Sequence, residues 1–139
     1  MFKLTKILSS GNSLIEPIRL PIDSTYRYTV GAVAILHDGR LIPARATDTP
    51  THLIGESVGD KRSGKIIAYE ITPEMILEVE ISENPRHLRI GQRLRIDDTL
   101  GMSDSVIEGI GGKAIVIDTN GAQRAGDRLY VIFPERKES

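Results

Sequence analysis

Apolar and polar residues alternate with a period of two along much of this chain, the pattern of a strand that turns one face to a core. Between 75 and 82, Leu77, Val79 and Ile81 share one face while Ile76, Glu78, Glu80 and Ser82 share the other. Across 26–36, Tyr28, Val30, Ala32 and Ala34 alternate with Thr29, Val33 and Ile35, and the run stops at His37-Asp38-Gly39. Asp-Gly is a two-residue hairpin signal, so 41–46 is the expected return strand. Further strands are predicted at 52–58, 65–71, 113–118 and 128–133. In 88–96, Leu88, Ile90, Leu94 and Ile96 fall on one side and Arg89, Arg93 and Arg95 on the other. The polar connection 97–112 alternates poorly, and a turn of helix is expected at 103–108. No window of a dozen residues carries a helical stripe. The predicted fold class is therefore mainly β: a small barrel or sandwich of short strands.

Two larger patterns overlie the strands. Val30-Gly31-Ala32 lines up with Ile90-Gly91-Gln92 at an offset of 60, and Ser63-Gly64-Lys65 with Ala125-Gly126-Asp127 at an offset of 62. This suggests two repeated β modules, 26–82 and 86–139, within a β domain spanning 26–139. Residues 1–25 read as an extended N-terminal arm, because Pro17 and Pro21 forbid a helix or a central strand there. The apolar Phe2, Leu4, Ile7 and Leu8 still require burial. Either the arm lies along a neighbouring subunit or it folds back as a lid on its own domain.

Composition narrows the function more than the fold. The 139 residues hold 18 basic and 19 acidic side chains, a net charge of −1, so no global field draws the chain to nucleic acid or to an anionic membrane. Four Tyr, two Phe and no Trp argue against a base-stacking platform. The absence of cysteine excludes a thiol nucleophile and thiolate zinc ligation. No apolar run approaches the ~20 residues of a membrane span, and 1–10 lacks the apolar core of a secretory signal, so synthesis in the cytoplasm is expected.

Catalytic constellations are weak. His37, His52 and His87 are scattered at spacings foreign to metal ligation. Asp97, Asp98 and Asp104 form the only acidic cluster, and solvated capping residues are the simpler reading. Asp118-Thr119-Asn120-Gly121 starts like a calcium loop, but Leu129 stands where the bidentate Glu belongs. Gly109-Ile110-Gly111-Gly112 lacks the Lys-Ser/Thr of a phosphate loop; a bulge or a close backbone approach explains it. The arginine row Arg89, Arg93 and Arg95 is either a docking surface for an acidic partner or one side of a hairpin facing Glu78 and Glu80. In that hairpin Glu80 would sit across from Arg89, and Ile81 from Leu88. No catalytic residue, metal or cofactor is expected.

The Gly-anchored strands as a set, Val30-Gly31-Ala32-Val33, Gly39-Arg40-Leu41-Ile42, Gly64-Lys65-Ile66-Ile67, Ile90-Gly91, Gly112-Lys113-Ala114-Ile115 and Gly126-Asp127-Arg128-Leu129-Tyr130, resemble the capsid cement, or head decoration, proteins of tailed bacteriophages. The resemblance covers about residues 26–134 and implies a non-enzymatic protein on the outer surface of the virion capsid. It implies the major capsid protein as partner, and a homo-oligomer, commonly a trimer. The expected partner contacts are Phe2, Leu4, Ile7, Leu8, Arg89, Arg93 and Arg95. Two rival readings stay open: a small β-barrel protein-binding module of a bacterial complex, and a hydrolase using Asp97, Asp98 and Asp104.

Overall fold

A computed structural model describes residues 1–7, 16–56 and 64–134. It is almost entirely β. The strands are β1 (Lys3–Ile7), β2 (Ile18–Pro21), β3 (Val33–His37), β4 (Arg40–Pro43), β5 (His52–Ile54), β6 (Lys65–Glu70), β7 (Met75–Glu80), β8 (Arg93–Ile96), β9 (Val106–Glu108), β10 (Ala114–Asp118) and β11 (Arg128–Ile132). They form two antiparallel sheets, ordered β1-β7-β11-β10-β8-β9 and β2-β6-β5-β3-β4, which are not closed into a barrel and pack as a sandwich. The Asp-Gly signal forms a tight hairpin between β3 and β4, with Asp38 and Gly39 both left-handed at φ 51° and 77°.

The two sheets share one topology. Taken in chain order, β2–β6 and β7–β11 are arranged identically, first-fifth-fourth-second-third, and β1 is added outside the second set. Register agrees residue by residue: Leu20 faces Ile66 as Val79 faces Leu129, and Ile54 faces Ala68 as Val116 faces Val131. Leu36 faces Leu41 as Ile96 faces Val106. Each set ends its first strand in a single parallel bridge to its third, Ile22 to Leu41 and Ile81 to Val106. Even the turns correspond, since Gly31 and Gly91 donate their N–H to the carbonyls of Ile54 and Val116.

Several sequence expectations are corrected by this pairing. The repeat divides the chain between β6 and β7, so 75–82 opens the second set rather than closing the first, and Lys65 corresponds to Arg128, an offset of 63. β7 pairs with β1 and β11, not with 88–96, so Glu80 does not face Arg89. Both edges of β7 are taken by β1 and β11, and Gly91 at φ 88° makes a turn of 89–92, so that β8 begins only at Arg93. Residues 103–108 hold β9; the helical turn is a 3-10 turn at Thr99–Gly101. β1 and β2 pair within their own chain, as edge strands of the second and first sheets. The Ile22 N–H points at Gly64 of the β6 side, so by alternation the N–H-less Pro21 presents its missing donor outward, where an edge strand needs none.

Burial follows the duplication. One apolar cluster lies on one face of the first sheet, around Ile22, Tyr28, Ala34, Leu41, Ile54 and Ile66. A larger one fills the second sheet and takes in Val33, Ile35 and Ala44 from the opposite face of the first. Val33, Ala34 and Ile35 of β3 are thus buried on both faces, whereas Leu36 and His37 are exposed. Backbone bonds stitch the junction: Val33 N–H to Ser103 O at 2.8 Å, Ile96 N–H to Ala46 O at 3.1 Å and Phe2 N–H to Gly31 O at 2.7 Å.

Candidate partner-binding surface

Three turns repeat one dipeptide, a branched aliphatic followed by glycine: Val30-Gly31, Ile90-Gly91 and Ile110-Gly111. Each glycine has φ between 84° and 88°, the value that the third position of a type II turn demands and that a side chain resists. The aliphatic at the second position is pushed outward, so Val30, Ile90 and Ile110 are 40%, 70% and 94% exposed. The turns at 29–32 and 89–92 close through Ala32 N–H to Thr29 O and Gln92 N–H to Arg89 O.

The tips carrying Ile90 and Ile110 are held from beneath. Glu108, at the end of β9, accepts hydrogen bonds from the N–H of Arg86, the N–H of His87 at 3.2 Å and the Gln92 amide at 3.0 Å. The Gln92 carbonyl oxygen takes the Arg89 N–H at 3.0 Å. Partial burial alone would raise the Glu108 pKa, but these donors outweigh it and hold the carboxyl below its ordinary value. The glycines of 109–112 allow that loop to pass directly over β8: a Cβ on Gly112 would lie 2.2 Å from the Leu94 carbonyl, and one on Gly109 2.3 Å from Arg95 Cδ. Of the two structural readings of this loop, close backbone approach is the one observed.

The contacts read from the sequence are scattered. Phe2 is a core residue, 1% exposed, with its ring 5.8 Å from that of Phe133. Leu4 lines an apolar cavity of about 200 Å³ at the junction of the sheets, together with Leu53, Tyr69, Ile71, Met75 and Leu77. Ile7 lies in β1 opposite Met75, and Leu8 falls outside the described residues. Arg89 sits in the turn, whereas Arg93 and Arg95 lie on β8 opposite Ile115 and Ile107. The arginines do not meet the glutamates: Glu78 pairs with Arg128 at 2.8 Å, and Glu80 takes the amino terminus. Arg95 Nε is buried without an acceptor among the described residues.

The acidic cluster serves the backbone. Asp97 accepts from the N–H and hydroxyl of Thr99, and Asp98 from the Ala46 N–H at 3.1 Å. Among the described residues no three His, Asp or Glu side chains gather as metal ligands. His37 and His87 are exposed, but His52 is buried on β5 with Nδ1 2.8 Å from the Thr51 hydroxyl. Desolvation pushes the His52 pKa down against the pull of Glu70 across the sheet.

Alternation placed Ile90 on the core side and Val30 on the face of Tyr28, Ala32 and Ala34, and it gave Ile110 no role. The aliphatic-glycine dipeptide marks all three turns but is not specific to them, since it also occurs at Ile54-Gly55, where Ile54 is buried in β5. The sequence matches no protein-family model, and comparison with curated proteins finds no relative.

Proposed function

We propose that this protein is a structural component of a bacteriophage virion that binds and stabilises the outer surface of the capsid. The observation that carries a binding role is the presentation of Ile90 and Ile110 on fixed turns outside the core. Aliphatic side chains held in water at 70% and 94% exposure gain free energy when a partner covers them, and the Glu108 clamp and the glycine conformations order the tips in advance. The capsid as partner rests on the resemblance of 26–134 to cement proteins. A cement protein acts by mass action: it binds the assembled lattice and not the dissociated subunit, so at 100 times the dissociation constant each site adds about 2.7 kcal/mol. The test is thermal disassembly of heads with and without the protein. Heads lacking it come apart at lower temperature on this reading, and identical melting or no co-sedimentation with intact shells overturns it.

A further inference from the structure

The cavity that Leu4 lines lies where the two sheets meet. Leu53, Tyr69 and Ile71 form the wall on the side of the first sheet, and Leu4, Met75 and Leu77 the wall on the side of the second. Met75 and Leu77 are buried and close the floor, whereas Leu4, Leu53, Tyr69 and Ile71 are half-buried, so the cavity reaches water between them. Glu70 lies at its edge, but it pairs with His52 across the sheet, and by alternation its side chain belongs to that opposite face. The duplication shows what keeps the space open. Leu53 faces Tyr69 as Ile115 faces Ile132, and Ile54 matches Val116, so the counterparts of Tyr69 and Gly55 are Ile132 and Ile117. Gly55 is not left-handed, so its backbone does not require glycine. Its neighbours do: a Cβ there would lie 2.6 Å from Tyr69 Cε2 and 3.1 Å from Ile67 Cγ2. The Tyr69 ring therefore rests across bare backbone instead of filling the space between the sheets.

We propose that this cavity is a binding site for a small neutral molecule, a single aromatic ring with at most a short alkyl substituent. An apolar cavity of ~150 Å³ stays dry and takes up benzene or xenon, so the present one, at about 200 Å³, has room for a substituted ring. The Tyr69 ring offers an offset or edge-on aromatic contact, and the flexible Met75 thioether adapts to the shape of the guest. Removal of apolar surface from water drives entry. A charged group would give up its hydration to walls of aliphatic and aromatic carbon, so ionised molecules are rejected. Because the two walls belong to different sheets, a guest ties the sheets together and stabilises the folded chain by mass action. Capsid binding plays no part in this reading.

Titration of the full chain with toluene, followed by methyl NMR, tests it. Saturable shifts confined to the methyls of Leu4, Leu53, Ile71, Met75 and Leu77 are expected, together with a rise in unfolding temperature. Benzoate, the same ring bearing a charge, is expected to bind at least about tenfold more weakly. Gly55→Ala pushes the Tyr69 ring off residue 55 toward the cavity, and Leu4→Phe fills the same space from the opposite wall. Each is expected to weaken toluene binding by about tenfold or more, and unfolding without toluene reports whether each remains folded. Should Gly55→Ala lower the unfolding temperature, Leu4→Phe carries the comparison. No saturable shift up to the solubility limit of toluene, shifts spread over the whole molecule, benzoate binding as tightly as toluene, or undiminished binding in the folded variants overturns the proposal.

Discussion

Phe2→Ala tests whether the N-terminal residues belong to the core of their own chain. The ring is 1% exposed and packs at a 48° tilt against that of Phe133 in the cluster that fills the second sheet. Truncating a buried Phe to Ala costs roughly 3–5 kcal/mol in lost transfer energy and residual cavity. β1 is an edge strand that can shift to close part of that space, which places the expected loss near the lower end, about 3 kcal/mol. In a chain of 139 residues each kcal/mol moves the midpoint by about 3–5 °C, so Tm should fall by roughly 10–15 °C. Circular dichroism melts of the two proteins measure this, with urea titration to check that the m-value is unchanged. A loss below about 1 kcal/mol refutes the reasoning, because only a residue packed outside the core can be truncated so cheaply.

Replacing Ile90 and Ile110 together by Asp should abolish binding to shells while leaving stability within about 0.5 kcal/mol, as expected of exposed tips; a melting temperature that falls along with binding contradicts their assignment as contacts. Gly112→Ala, whose new Cβ would meet the Leu94 carbonyl at 2.2 Å, should destabilise by about 2 kcal/mol or more in urea unfolding. Tyr28→Phe removes the hydroxyl that donates to the Leu41 carbonyl and accepts the Asp23 N–H at 2.9 Å, and should cost about 1–3 kcal/mol by the same assay. For His52, the folded pKa is depressed below the ordinary value of 6.5, so its protonation opposes folding. Stability should be complete above that value, decline as pH falls from it through the folded pKa, and then level off; urea midpoints of His52→Gln should lack this decline.

Local features were legible in the sequence because strand alternation and turn chemistry act over a few residues. The 75–82 alternation is realised in β7, with Leu77, Val79 and Ile81 buried and their neighbours half-buried, and Asp38-Gly39 turns where its chemistry requires. What alternation cannot supply is the partner of a strand. Glu78 and Glu80 looked like the mates of the next arginine-bearing segment, but β7 instead pairs with segments far away in sequence on both sides. Nor does alternation survive a left-handed glycine: Gly91 resets the phase, which is why Ile90 is exposed while Leu94 and Ile96 are buried. The prolines of the N-terminal segment were correctly incompatible with a central strand, yet Pro21 tolerates an edge, and β2 uses that allowance. Val30 and Ile90 escaped notice because each falls in phase with a periodic run, and Ile110 because it has no periodic neighbour to mark it as displaced from the core.

The placement of β1 also sets an order of events during synthesis. All five strands of the first sheet have been made once residue 70 is joined, so its pairing can proceed while the second sheet is still incomplete. β1 is made before any of them, but its mate Met75–Glu80 appears only some seventy residues later. Throughout that interval Phe2 has no Phe133 to pack against, and an aromatic side chain meant for the interior stays in water. Closing so long a loop makes this pairing slow on grounds of chain entropy. The strand that begins the chain is thus among the last to find its place, and a nascent chain halted before residue 75 should leave 1–7 open to proteolysis even after the first sheet has formed.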